Sequence, residues 1–190
     1  PMGIRTFPPN FRPADFQGPL SQHYPEREDL FQQLVGALLR ERFGSRVHVS
    51  PTKGRDGSID IFVDGSIDKN ETFLGLPFPF IIECKDHNDS LGNVIRNAKQ
   101  GWRNVQEKLS EQAQKGWEGT FQPWKRTRGY LYCISAGLPH QQARDELRKP
   151  ITDFFSSIPY LQKPHIEQIL LVDWNDLQPL LNEHARRSDG

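Results

Sequence analysis

The chain has 190 residues, enough for one domain with a proper core and too few for two ordinary ones. Its 24 basic and 24 acidic side chains cancel to a formal charge of zero, which excludes a protein drawn to nucleic acid by its global field and leaves only local basic patches for that purpose. No apolar run approaches the length of a membrane span and the first residues lack the pattern of a secretion signal, so a cytoplasmic protein with no membrane partner is expected.

Residues 1–24 carry Pro8, Pro9, Pro13 and Pro19 among polar residues, a composition that opposes helix and predicts an extended arm ahead of a domain over 25–190. Pro25 suits a first helical position, with Glu26, Glu28 and Asp29 set against the helix dipole. The buried stripe of that helix is Phe31, Leu34, Val35, Leu38 and Leu39, and Gly44 ends it. Glu28 and Gln32 lie one turn apart beside the stripe and can lean toward the same neighbour. Residues 46–50 alternate as a first strand. A glycine-containing loop over 51–57 leads to a second strand, where Asp60 interrupts the alternation of Ile59, Ile61 and Val63. Residues 64–77 read as the hairpin connection to a third strand over 78–85.

The second and third strands carry the chemistry. Side chains alternate along a strand, so Glu83 and Lys85 project to one face while Ile82 and Cys84 project to the other. Asp60 among apolar neighbours needs a cationic partner, because an unpaired buried carboxylate costs several kcal/mol. Two carboxylates on adjacent strands make a hard, oxygen-rich site suited to Mg²⁺, which keeps several waters and meets phosphate oxygens as its other ligands. The lysine beside them would orient the attacking water or stabilise charge on the phosphate, which is phosphodiester hydrolysis chemistry. A Glu-x-Lys alone also describes a solvated edge pairing of opposite charges. Asp56 competes with Asp60 as the metal acid; a strand fixes a ligand more rigidly than a loop and favours Asp60.

Beyond this stretch, the polar residues 86–90 read as the cap of a long helix over 91–115, with Val94, Ala98, Trp102, Val105 and Leu109 on its core face. His87 reads as a solvated loop histidine. The loop 116–129 interleaves Trp117, Phe121 and Trp124 with Lys125, Arg126 and Arg128, a pattern in which aromatic faces stack on bases while cations meet phosphates, or in which the aromatics pin the loop to the body. Residues 129–136 form an apolar strand buried on both faces. Residues 137–139 open a short helix through Ala143 and Leu147, 156–164 are turn-rich, and 166–172 give a last strand. Residues 173–176 cap a closing helix with Leu177, Leu180 and Leu181 inside. The order αβββαβαβα predicts an α/β fold, a mixed sheet flanked by helices on both faces. Cys84 and Cys133 sit in apolar strands and read as buried, reduced thiols. No phosphate-binding glycine loop, dinucleotide turn or zinc-ligand spacing is present in the sequence.

Asp60, the run Glu83-Cys84-Lys85 and the element order together resemble the PD-(D/E)XK nuclease superfamily, and within it the Mrr-like restriction-endonuclease fold, over residues 26–187. The resemblance implies a Mg²⁺-dependent endonuclease acting on double-stranded DNA, with Mn²⁺ able to substitute, Asp60 and Glu83 as metal ligands and Lys85 assisting water attack. Mrr-like members place a Glu right after the aromatic of the first helix as a further ligand or support; here that place holds Gln32, which leaves Glu28, one turn earlier, or Gln32 itself to complete the site. The helix after the Glu-x-Lys strand flanks the active site in such enzymes, which implies Lys99, Gln100 and Arg103 as contacts to the nucleic-acid backbone, unless they merely solvate an exposed face. Relatives that cut both strands as dimers imply a homo-oligomer, and domains of this kind fused to regulatory modules imply an effector in restriction or anti-phage defence, such as the N-terminal nuclease of an antiviral STAND-type NTPase. The other readings of the same residues are a nuclease-fold binding or assembly module with weak or no metal binding, and a ribonuclease.

Overall fold

The computed structural model describes residues 27–51, 57–87, 89–158 and 164–188. The expected arm over 1–24, the helix start at Pro25, Asp56 and the 52–56 portion of the glycine-containing loop, Asn88 and part of the turn-rich 156–164 lie outside the described residues.

The first helix, α1 (Arg27–Phe43), ends where Gly44 takes φ +59°, a backbone conformation that only glycine adopts freely. Phe31, Leu34, Val35 and Leu39 are buried as the stripe predicts, and Leu38 is half-buried. Strand β1 (Val47–Val49) pairs antiparallel with β2 (Ile61–Val63), Val47 facing Val63 and Val49 facing Ile61. Next comes a small ribbon of its own, β3 (Thr72–Phe73) with β4 (Leu76–Pro77), so residues 64–77 are more than the expected connection. The third strand of the main sheet is β5 (Phe80–Lys85), antiparallel to β2. It starts two residues later than the apolar pattern suggests, since Pro77 and Pro79 have no N–H to give to a ladder.

Helix α2 (Leu91–Lys115) matches its expected span and buries all five predicted residues, although the Ser90 side chain at its N-cap makes no capping bond. Beside it, Asp89 Oδ1 accepts from the Ser90 amide at 3.2 Å and from the Asn93 side-chain Nδ2 at 3.0 Å. The expected loop over 116–129 is largely a 3₁₀ segment (Gly119–Arg126), with Trp117 and Trp124 driven into the core and Trp124 Nε1 donating to Gly57 O at 2.9 Å. Strand β6 (Gly129–Ile134) is buried throughout, as predicted, and runs parallel to β5.

Helix α3 (Gln141–Ser157) corrects the expected short helix. It begins later, with the His140 ring accepting from the Ala143 amide, and continues for 17 residues through Pro150. Burial of Ile151, Phe154 and Phe155 against the sheet outweighs the roughly 3 kcal/mol that an interior proline costs. Strand β7 (Gln168–Val172) pairs parallel with β6, and α4 (Trp174–Ser188) closes the chain with Leu177 and Leu181 buried and Leu180 half-buried.

The main sheet has the order β1-β2-β5-β6-β7: an antiparallel meander feeding two parallel strands. The architecture is therefore the expected mixed α/β sheet with helices on both faces. Phe62, Ile81, Tyr130, Tyr132, Ile134 and Leu171 pack toward α2 and α3, while Ile61, Val63, Ile82, Cys84, Leu131 and Val172 pack toward α1 and α4. Ile59 joins the first group and Ile61 the second, so the expected alternation through Asp60 does not hold; regular strand begins only at Ile61, after Ser58 at φ +55°. Cys84 and Cys133 are free, buried and in register across β5 and β6. Burial, and then the hydrogen bond to Cys133, push the Cys84 thiol well above its ordinary pKa. Among the described residues no helix is long and apolar enough to cross a membrane.

Candidate functional site

The end of β5 is where buried charge collects. Glu83 and Lys85 share a face as strand alternation dictates, and Lys85 Nζ stands 2.8 Å from Glu83 Oε1. The same ammonium donates to Glu28 Oε1 at 3.0 Å, reaching from the strand to the first turns of α1. Glu83 is almost wholly buried at 5% side-chain exposure, Lys85 retains 18% and Glu28 retains 51%. The site thus opens toward solvent on the Glu28 side.

Asp60 sits one residue before β2. With Ile61 opposite Ile82, carrying the register one step further sets Asp60 against Glu83. Its Oδ2 accepts the Cys84 amide at 2.6 Å, so the carboxylate extends the strand ladder just ahead of β2. A carboxylate held by a backbone N–H is fixed in place and relieved of part of its desolvation cost. Burial works to deprotonate Lys85, but the negative charges of Glu83, Glu28 and Asp60 outweigh it, and its pKa is held above the usual lysine range. Lys85 is therefore a cation at every physiological pH.

Gln32 belongs to the same cluster but in a different capacity. It is buried, and its Nε2 donates to both Ser50 O and Asp60 O at 3.0 Å, clipping α1 onto the point where β1 and β2 part. Only an amide can do this, because a carboxylate has no proton to give to two carbonyls. Of the two residues expected to complete the site, Glu28 reaches Lys85, and Gln32 braces the backbone behind Asp60. Gln32→Glu should cost about 2 kcal/mol near neutral pH by burying a charge against two carbonyl oxygens. The new carboxyl would have a folded-state pKa above its unfolded value of about 4.3, so the loss should grow as pH rises above that value and fade below it. Urea unfolding of the variant and the parent between about pH 4 and 7 measures this.

Residues 86 and 87 are also fixed. Ser135 Oγ donates to Asp86 Oδ1 at 2.6 Å and accepts from the His87 amide at 2.9 Å, tying the turn after β5 to the end of β6. His87 is half-buried where the sequence suggests a solvated loop residue, and that burial lowers its pKa. On the sheet face beneath α2, Tyr132 pairs with Glu83 in register and donates its hydroxyl to Ala98 O at 3.0 Å. Burial raises its pKa, so the phenol stays protonated. Neither Tyr132 nor the neighbouring Gly101 of α2 was apparent from pattern alone, although a glycine in the middle of a long helix is itself a signal of close approach.

The donor set suits a hard divalent cation: Asp60 and Glu83 offer carboxylate oxygens from adjoining segments, with Glu28 alongside and a lysine between them. Among the described residues, no three His, Cys, Asp or Glu side chains are grouped closely enough to hold a metal ion by themselves. Mg²⁺ asks less, since one or two carboxylates plus waters and substrate phosphates complete its shell.

The expected nucleic-acid contacts are more scattered. On α2, Lys99 is paired with Glu146 of α3, Gln100 donates to Asn104, and Arg103 is exposed. Arg128 holds Glu167 through two bonds of 2.6 and 2.9 Å and also donates to Phe78 O. Arg126 is paired with Asp64 at 2.7 Å and lies 4.7 Å from the centre of the Phe62 ring. Lys125 is exposed and lines, with Arg126 and His48, a groove of about 1020 Å³ beside β1. The buried Trp117 and Trp124 present no face to a base, and of the three aromatics only Phe121 is half-buried. No family model matches the chain, and comparison with curated proteins and with solved structures likewise gives no match, so the chemistry of this site rests on its own residues.

Proposed function

We propose that the protein is a metal-dependent endonuclease that hydrolyses phosphodiester bonds, with double-stranded DNA as substrate. The observation that supports this most is the Lys85 ammonium held between Glu83 and Glu28 while Asp60 is anchored on the Cys84 amide. The mixed sheet flanked by helices, with Glu83 and Lys85 at the end of β5, supports the reading as far as its general architecture goes.

Asp60 and Glu83 would hold Mg²⁺, or Mn²⁺ in its place, with Glu28 available as a further oxygen donor. Such an ion supplies Lewis acidity at a phosphoryl oxygen and a bound water of lowered pKa. Lys85 supplies a positive charge that can orient a water or stabilise negative charge growing on the phosphate. Glu28, half-exposed, can release the ammonium when a phosphate arrives. Gln32 holds the Asp60 backbone while this happens. The same chemistry would serve an effector domain in restriction or anti-phage defence.

The test is a cleavage assay on supercoiled, linear and single-stranded DNA and on RNA, with Mg²⁺, Mn²⁺ or chelator. Parent protein should cut with metal, and Glu83→Ala or Asp60→Asn should be slower by about 10³-fold. Cleavage by Glu83→Ala at the parental rate, or no cleavage by the parent on any substrate, would sink the reading; cleavage of RNA alone would transfer it to a ribonuclease. Calorimetric titration with Mg²⁺ distinguishes a binding module, in which no heat depends on Asp60 and Glu83.

A further inference from the structure

Lys85 is a long, flexible side chain, and a charge at its tip is useful only if the stem is held. On its outer side the stem lies against α2 at Gly101. A β-carbon placed at Gly101 would stand 3.6 Å from Lys85 Cδ and 3.8 Å from Cε, and 3.0 Å from the Tyr132 hydroxyl. A side chain there would thus lie against the lysine stem and crowd the tyrosine hydroxyl. Nothing else calls for glycine here: residue 101 has an ordinary helical backbone, eleven positions into a 25-residue helix, where glycine costs about 1 kcal/mol relative to alanine.

We infer that Gly101 is a positioning residue: its bare backbone, backed by Tyr132 hydrogen-bonded to Ala98 O, forms the seat that directs the Lys85 ammonium at Glu83 and Glu28. This rests on the nuclease reading for its catalytic consequence, but the seat itself does not. A single added methyl meets Lys85 at ordinary contact distance and presses only on Tyr132. A branched side chain continues past that point into the space of the stem and turns the ammonium out of the site.

The test compares Gly101→Ala with Gly101→Val in two measurements. The first is acetylation of lysines by an N-hydroxysuccinimide acetate, followed by mass spectrometry without metal or substrate. Lys85, paired and mostly buried, should label slowly in the parent and in Gly101→Ala. In Gly101→Val it should label about tenfold faster as its pairing is lost, with exposed Lys125 unchanged as the internal reference. The second is steady-state cleavage, where Gly101→Val should lower kcat about 100-fold with KM within about threefold, as misplacement of one catalytic group does. Gly101→Leu, a better helix former than glycine, stands in should the valine variant fail to fold. Equal Lys85 labelling in folded Gly101→Ala and Gly101→Val overturns the inference whatever happens to cleavage. Faster labelling in Gly101→Val supports the seat even where the parent cuts no nucleic acid, the result that removes the nuclease reading alone.

Discussion

Lys85→Met should lose about 10³-fold or more in cleavage rate and about 3 kcal/mol in stability, the two effects arising from one missing charge. Methionine keeps most of the stem's length and apolar contact, so packing against α2 is largely preserved and the charge is what is removed. Glu83, 5% exposed, and Asp60, 8% exposed, would then sit in the core edge with no ammonium to balance them. Breaking a buried pair from one side is expensive because the remaining ion keeps its desolvation cost. Glu28→Gln provides the contrast. Its side chain is half in water, so the loss should stay below about 1 kcal/mol although the same ammonium is touched. The pH dependence has a definite sign. The folded state holds the Lys85 pKa above its unfolded value of about 10.4, so its contribution is fully present below that value and is lost as pH rises through the folded value. Parent and Lys85→Met should therefore differ by a constant amount between about pH 6 and 9 in urea unfolding, and converge only in strong alkali. Equal stability of the two proteins at neutral pH would mean that the ammonium does not balance these carboxylates.

Those charged groups were legible in the sequence because each broke a local rule. Asp60 is an acid beside apolar residues, and Glu83 and Lys85 are charged residues at the end of a strand whose other positions are apolar. The role of Gln32 was not legible, since the carbonyls it braces lie 18 and 28 residues away and a glutamine beside a helix stripe carries no mark of them. The interleaved aromatics and cations of 116–129 left two readings open for a related reason. Aromatic spacing alone is the same whether the rings face solvent or the core, and only the packing of Trp124 on Tyr130 and Phe155 decides. The start of β5 and the length of α3 were misjudged in opposite directions around proline. At Pro79 the missing N–H wins because a sheet ladder has no substitute for it, whereas at Pro150 the buried residues on either side carry the helix through.

Asp173→Ala should destabilise the fold by about 3–5 kcal/mol, with cleavage per folded molecule unchanged. The sequence presents Asp173 only as the cap of α4, a role its Oδ1 fills by accepting the Asp176 amide at 3.2 Å and one whose loss costs about 1 kcal/mol. Its surroundings add much more. Asp173 is fully buried, its Oδ2 lies 3.1 Å from Arg144 Nη1 of α3, and the same oxygen accepts the buried Leu138 amide at 2.8 Å. Arg144 also holds Asp176 and the Leu171 carbonyl, so one carboxylate joins α3, the turn before it, the end of β7 and the start of α4. Alanine would leave a guanidinium short of one partner and the buried Leu138 amide without its acceptor, each a separate desolvation cost, while the Asp176 amide keeps the Asp173 backbone carbonyl at 3.1 Å. Asp173→Asn keeps one oxygen to cap α4, removes the charge opposite Arg144, and turns an NH₂ donor toward the Leu138 amide and the guanidinium. Its loss should fall between the cap alone and the full effect, near 2–3 kcal/mol. For a domain of this size, each kcal/mol moves the thermal midpoint by about 2–4 °C, so alanine should lower it by roughly 6–20 °C and asparagine by about half as much. Equal shifts for the two variants would show that the retained cap contributes nothing and that the loss lies with the Oδ2 contacts to Arg144 and Leu138.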